Sequence, residues 1–357
     1  MGSNTPKNLG FSMPAEWGKH SAVWLSWPHD TTSFPHLKEA EESFARFIQE
    51  ISTSEKVELQ VLNEVMLDHV TEVLEEKSVD MERVTFHPAN YADIWFRDYG
   101  PIFVTNKETK ELAMAKWTFN AWGNKYKILL KDNEIPYAMN AKMNLPMFEA
   151  GPHTNGIGVG AGIVMEGGSI EVNGKGTLMT TEQCLLNKNR NPNLSREDIE
   201  RYLSDYLGVR HFIWLKEGIE GDDTDGHIDD IARFVNETTV LCAYEEDTAS
   251  PDHTILKENF EILQHSTDQD GNPLSVIKLP TPGKISAHVE PLPASYANFY
   301  IGNTKVLVPT FGTENDKKAL DIIQSVFPDR KVVGIDATYL VYGLGTFHCM
   351  SQQQPEV

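Results

Sequence analysis

Four stretches of the chain read alike: "PIFVTNKETKELAMAKW", "SIEVNGKGTLMTT", "IARFVNETTVLCAY" and "NFYIGNTKVLVPTF". Each is a β-rich run, an asparagine-containing turn and a second β-rich run. The turn asparagines, Asn106, Asn173, Asn236 and Asn303, fall 67, 63 and 67 residues apart. A regular period of this length narrows the fold sharply, because quasi-identical units that each leave an apolar face unburied close on one another.

A helical pattern follows each hairpin, over 126–142, 194–208, 252–264 and 315–327. Ser195 followed by "RED" predicts a helix start and Gly208 a helix stop. The runs "HFIWL", "SVIKLP" and "KVVGID" follow three of these helices, so the unit is ββαβ. Five units nearly fill the 357 residues, provided that one is split. Its helix, 37–51, and its strand "VELQVL" lie near the N-terminus beside "SAVWLSWP", and "GTFHCMS" near the C-terminus supplies the missing strand. Pairing of the first and last strands would remove the open sheet edges. A conventional βαβ sheet binding a nucleotide lacks its signature, since "GIGVGAGIVMEGG" fails GxGxxG and leads into strand-like residues.

Charge and cysteine content exclude several functions. A formal net charge of -21 repels polyanions, so nucleic acid is not an expected partner and a cationic small molecule is. No apolar run approaches the roughly 18 residues of a membrane span, and "MGSNTPKNLGFSMP" carries no basic-then-apolar leader. A cytoplasmic location without membrane association is expected. Cys184, Cys242 and Cys349 are widely spaced with no CxxC, which suggests neither a disulfide framework nor a thiolate zinc site.

The acids preceding the hairpins carry the chemistry. Asp98, Glu166 and Asp229 stand 8, 7 and 7 residues before their turn asparagines. In a closed radial array such equivalent positions face a common axis, and converging carboxylates need a cation. The fourth unit offers Asn298 in "PASYANFY" as a neutral polar candidate. A single Asp before a turn usually caps it; three at one repeat phase point to a site. The acid-rich "GDDTDGHIDD" lacks the DxDxDG spacing and closing Glu of a calcium loop. A planar guanidinium, pairing bidentately with carboxylates, fits better than a metal. His227 lies two residues before Asp229, and if 227–235 is a strand both project to one face, with His227 a natural general acid/base. Cys349 then falls near the axis with the role of a nucleophile. Cys184 and Cys242, among apolar residues, read as inert core thiols.

Six ordered motifs, "MPAEWGKHSAVWLSWP", "WFRDYGP", "EGGSIEVNGKGTLMTTEQCLLN", "GDDTDGHIDDIARFV", "LPASYANFYI" and "GLGTFHCMSQQQP", resemble the agmatine deiminase family of the guanidine-modifying pentein superfamily, related to bacterial peptidylarginine deiminases. The resemblance runs from about residue 11 to 355. It implies a single catalytic domain over 1–357 with an α/β fold, a five-bladed pseudo-five-fold propeller closed by pairing of its N- and C-terminal strands. "EWGKH" replaces the family's usual "EWEPH", and "GLG" stands where a glycine triplet is common. The resemblance implies Cys349 as nucleophile, His227 as general acid/base, Glu166, Asp98 and Asp229 holding the guanidinium, and Trp95 and Asn298 lining the pocket. The implied reaction is hydrolysis of agmatine to N-carbamoylputrescine and ammonia through a Cys thiouronium, with no metal or cofactor. Deimination of free or peptidyl arginine is the alternative; the α-carboxylate of arginine calls for a cationic partner, and the candidates near the site motifs are Arg97 and Arg233. An acidic-centred propeller that binds polyamine or a divalent ion is the non-enzyme alternative. Flat outer faces make a homo-oligomer possible.

Overall fold

A computed structural model describes residues 4–151, 162–283, 285 and 291–357. The glycine-rich stretch 156–161 lies outside the described residues. The fold is α/β, with five mixed sheets among the described residues. Four of the sheets share one order: an antiparallel hairpin, then a helix, then a strand pairing parallel with the hairpin's second strand. Their strands are Ile102–Asn106, Glu111–Lys116 and Met147–Glu149; Glu171–Val172, Thr177–Thr181 and His211–Leu215; Ala232–Phe234, Thr239–Tyr244 and Ser275–Pro280; and Tyr300–Ile301, Lys305–Thr310 and Lys331–Asp336.

The recurring asparagines have a physical cause. Asn106, Asn173 and Asn236 each use Oδ1 to accept backbone N–H groups two to four residues ahead, fixing the hairpin turn. Asn303 instead reaches into the split unit, accepting from His20 N (2.8 Å) and donating to His20 O (2.9 Å).

The fifth sheet joins the chain's ends, with strands Gln352–Pro355, His20–Ser26, Lys56–Val61 and Val84–Pro88. Trp24 pairs with Gln352 and Val23 with Gln353. The terminal strand is thus Gln352–Pro355; "GTFHCMS" forms the turns that precede it, a correction to the sequence reading. Gln352 and Gln353 are buried, so a polar-looking segment closes the sheet while Thr346–Ser351 lies outside the ladder.

The helix Arg196–Leu207 begins with the capping box of Ser195 and Asp198 and ends on Gly208 at φ 72°. Leu37–Ile51 buries Ala40, Phe44, Phe47, Ile48 and Ile51 along one face. Residues 227–235 are not one strand: Ile228–Asp230 is a 3-10 turn and only Ala232–Phe234 is strand. The same device recurs, because Phe96–Tyr99 and Gly167–Ser169 are single helical turns just before their hairpins. The acids of the three units therefore sit on or beside short turns, which can aim a side chain off the sheet.

Candidate active site

Three of these turns meet at Gly168. A Cβ there would lie 2.6 Å from His227 Nδ1, 2.9 Å from Asp98 Oδ1 and 3.0 Å from Asp229 Oδ2, so groups from three units surround a gap that only glycine leaves open. Asp98 accepts from Gly168 N through Oδ1 (3.0 Å) and from the Trp122 indole through Oδ2 (2.9 Å). Trp122 is delivered by a left-handed turn, with φ of 54° at Ala121 and 51° at Trp122, pinned by the Asn120 side chain accepting from Gly123 N (2.8 Å). Non-glycine residues hold that conformation only where surrounding structure over-determines it. Burial lifts Asp98 to about 6, with His227 opposing and Asp229 and Glu166 adding repulsion.

His227 is fully buried, and neither ring nitrogen has a hydrogen-bond partner. Asp98 Oδ1 stands 3.8 Å from Nδ1 and Glu166 Oε2 3.7 Å from Nε2. Burial works against the imidazolium, yet Asp98, then Cys184 and Glu166, hold its pKa well above the usual range. A buried ring with carboxylates within 4 Å of both nitrogens and a hydrogen bond to neither is placed to bond something that arrives. Glu166 is buried too, and although burial opposes its charge, Arg190 at 2.8 Å keeps its pKa low. Arg190 in turn bonds Asp225 and Thr224 O.

Asp229 Oδ2 lies 2.6 Å from His348 Nδ1 and 3.4 Å from Cys349 Sγ, while Oδ1 is buried without a partner. His348 Nε2 reaches Glu16 Oε1 at 2.8 Å. Glu16 also pairs with Arg97 (3.0 Å) and Arg233 (2.6 Å), and Arg233 pairs with Glu171 (3.0 Å). Both arginines are thus engaged beneath the site. The Cys349 thiol is pushed well above its usual range by burial, then by Asp229, Asp230 and Asp98, with Asn298 opposing.

A cleft of about 580 Å³ opens onto this cluster; Trp95, Asp98, Trp122 and Cys349 line it, and its charged walls carry Asp30, Asp93, Asp223 and Lys131. His227, Asp229 and Glu166 are fully buried around and behind the acid–thiol cluster. The structure thus brings together Cys349, His227, Asp98 and Asp229. Trp95 stands in the cleft wall. Glu166 pairs with Arg190 behind His227, not with the cleft. Asn298 is 1% exposed and lies against the sulfur of Cys349 (3.0 Å), which itself lines the cleft. Arg97 and Arg233 do not face the cleft. Cys242 is a buried core thiol, whereas Cys184 sits 3.9 Å from Glu166 Oε2, closer to the site than its apolar neighbours in sequence suggest.

Sequence reasoning missed Trp122, Arg190, Glu16 and His348. The signal for His348 was its place beside Cys349; the others stand outside the repeat phase. Asp222 and Asp225 of "GDDTDG" hold the loop together: Asp222 accepts from Thr224 N and Gly226 N at 2.7 Å, and Asp225 bonds Lys125 and Arg190. Among the described residues, Glu166–Cys184–His227, Glu16–Glu171–His348 and Asp229–Asp230–Cys349 have metal-like spacing. The first two already hold arginine guanidinium groups, which fit a metal ion poorly.

The chain matches the model of the Porphyromonas-type peptidyl-arginine deiminase family over residues 12–355. A Legionella pneumophila (strain Paris) protein provisionally named agmatine deiminase is 39% identical, with 99% of this chain and 98% of that one covered. The solved agmatine deiminase of Enterococcus faecalis superposes with a TM-score of 0.90 at 34% identity, covering 100% of this chain and 99% of its own. A C. jejuni agmatine deiminase carrying a cysteine-to-serine substitution, with substrate bound, gives a TM-score of 0.84 at 30% identity, with 96% of each chain covered. With the motifs, the buried acid–histidine–thiol cluster and these full-length similarities in agreement, the chain belongs to the Porphyromonas-type peptidyl-arginine deiminase family.

Proposed function

We propose that this protein is a hydrolase that deiminates agmatine, giving N-carbamoylputrescine and ammonia. The observation that carries the reading is the convergence of Asp98, Asp229 and His227 on the gap at Gly168, with the Cys349 thiol 3.4 Å from Asp229. Asp98 and Asp229 hold the guanidinium, and the unpartnered Asp229 Oδ1 accepts one of its N–H groups. The bound cation offsets the acids that hold the thiol protonated.

The bound cation also disfavours the imidazolium, so His227 gives up a proton as the substrate enters, and the neutral ring then takes the thiol proton as Sγ adds to the central carbon. His227 returns that proton to the departing nitrogen, and ammonia leaves a thiouronium on Cys349. His227 then takes a proton from water, hydroxide adds to the same carbon, and the carbon–sulfur bond breaks with the ureido product released. Sγ is reprotonated, and the one proton left over converts ammonia to ammonium. Glu166, fixed by Arg190, orients His227 rather than touching the guanidinium. The whole chain acts as one catalytic domain, its five sheets disposed about a pseudo-five-fold axis as propeller blades.

The far end of the substrate discriminates between agmatine and arginine. Asp30, Asp93 and Asp223 outnumber Lys131 on the cleft wall, and Arg97 and Arg233 are engaged with Glu16. A primary amine suits those walls and an α-carboxylate does not. Turnover of agmatine should exceed that of arginine and of a peptidyl-arginine by about a hundredfold or more in kcat/KM. Equal or greater turnover of arginine would overturn the substrate assignment. Cys349→Ser should release no ammonia from agmatine while melting like the parent protein; wild-type turnover by that variant would remove the nucleophile role.

A further inference from the structure

Asn298 ends against the reacting sulfur, and its orientation is fixed by its neighbours. Its Oδ1 accepts from Thr346 N (3.2 Å), Thr346 Oγ1 (2.9 Å), His348 N (3.1 Å) and Cys349 N (3.3 Å). Three of these four are backbone N–H groups, which cannot reverse their role, so the oxygen must face them. Nδ2 is therefore turned the other way, 3.0 Å from Cys349 Sγ and 3.0 Å from Asp230 Oδ1. The carboxylate of Asp230 takes one N–H and the sulfur takes the other. Ser295 Oγ donates to Asp230 O (2.7 Å), tying the backbone carrying Asp230 to the segment that carries Asn298. The side chains of both Asn298 and Asp230 are buried, so water does not compete for these bonds.

The chemistry needs such a donor. Asp229 Oδ2 stands 3.4 Å from Sγ, and Asp98 and Asp230 are also close enough to disfavour negative charge there. Sulfur carries that charge twice in a turnover, at attack and again when the carbon–sulfur bond breaks. An N–H donor held in place beforehand stabilises charge without reorganising.

We infer that Asn298 is a catalytic residue, the fixed N–H donor to the Cys349 thiolate, with Asp230 and the Thr346–Cys349 segment locking its amide against rotation. The inference rests on Cys349 being the nucleophile. It gives Asn298 a role toward the enzyme's own sulfur instead of toward the substrate.

The test is the pH dependence of alkylation of the full-length enzyme by iodoacetamide, a neutral probe, with mass spectrometry reporting modification at Cys349. Asn298→Asp keeps an accepting oxygen for the loop amides and loses the donor; Asn298→Ala loses both and adds no charge. Loss of a hydrogen bond to a charged group should raise the pH of half-maximal alkylation by about one to two units in both variants. In both, kcat/KM for agmatine should fall by about ten- to a hundredfold, with part of the loss in the alanine variant recovered at higher pH. An unchanged alkylation midpoint in the alanine variant, or a rise in the aspartate variant alone, overturns the inference. Circular dichroism checks folding, and Asn298→Ser replaces the alanine variant should that one not fold. Cys349→Ser is assayed alongside. Wild-type turnover there sinks the nucleophile reading itself, whereas an inactive Cys349→Ser with unshifted Asn298 variants sinks only the role of Asn298.

Discussion

Replacing Gly168 by alanine would place a methyl group 2.6 Å from His227 Nδ1 and 2.9 Å from Asp98 Oδ1, inside the space assigned to the guanidinium. Its Cα is held by the Gly168 N bond to Asp98, so the side chains must yield instead. Gly168→Ala should lower kcat/KM for agmatine by about a hundredfold or more, since small misplacements of catalytic groups are that costly. Its melting temperature should stay within a few degrees of the parent. A variant of full activity would move the substrate elsewhere. Trp122→Phe keeps the ring and removes the donor to Asp98 Oδ2 (2.9 Å), and should raise KM for agmatine about tenfold with a smaller change in kcat. An unchanged KM would remove Asp98 from substrate binding. Asp98, Glu166 and Asp229 were legible in the sequence because the repeat puts them at one phase. Trp122 was not, because its indole reaches Asp98 only through a left-handed turn that no period announces. Glu16 was equally hidden: it binds Arg97, Arg233 and His348 across 81, 217 and 332 residues of chain.

The segment carrying Cys349 shows how an element resists reading from propensity. Thr346 and Phe347 favour a strand, yet the chain turns from Thr346 to Met350 and the strand begins at Gln352. A strand through Cys349 would tie its backbone into the ladder with His20–Ser26; the turn instead lets Arg97 N bond Cys349 O (3.1 Å). Hairpins and helices were legible because turn asparagines, caps and apolar periodicity all act locally. The turns between them were not, because each is set by contacts with other units. Leu344 marks the same segment, a leucine at φ 73° between Gly343 and Gly345. Left-handed backbone costs a non-glycine residue about 1–2 kcal/mol, and glycine's greater freedom in the unfolded chain returns roughly 0.5–1 kcal/mol of that. Leu344→Gly should therefore stabilise the protein by about 0.5–1 kcal/mol in urea unfolding. A destabilised variant would mean that leucine's contacts in the cleft wall outweigh the strain.

At the scale of the whole molecule, the buried acids set how stability follows pH. Burial lifts Asp93 and Asp98 to about 6 and Asp132 to about 7, above their values in an unfolded chain. The folded state then holds protons that the unfolded state has released, so stability falls as pH rises from about 4 through those folded values. His227 adds to this trend: its pKa is raised when folded, and the stability it contributes is complete below about 6.5 and is lost at higher pH. His29 and His348, lowered first by burial, act in the opposite sense, and they are outnumbered. Self-repulsion of a chain with net charge -21 also grows with pH. On the acid side, Glu16, Glu166 and Asp229 are held below the usual carboxylate range, burial being outweighed by Arg97 and His348 at Glu16, by Arg190 at Glu166 and by His348 at Asp229. Their contribution is present above about pH 4 and is lost as pH falls through their folded values. The two groups bracket an optimum. Urea midpoints measured from about pH 3 to 8 should peak near pH 5, a unit or more below the pH at which a protein stabilised mainly by its ion pairs levels off. Midpoints that climb steadily from pH 5 to 8 would mean that Asp93, Asp98 and Asp132 stay ionised in the folded protein. The acidic centre would then be held by its donors alone, and substrate binding between pH 5 and 7 should release the His227 proton and no other.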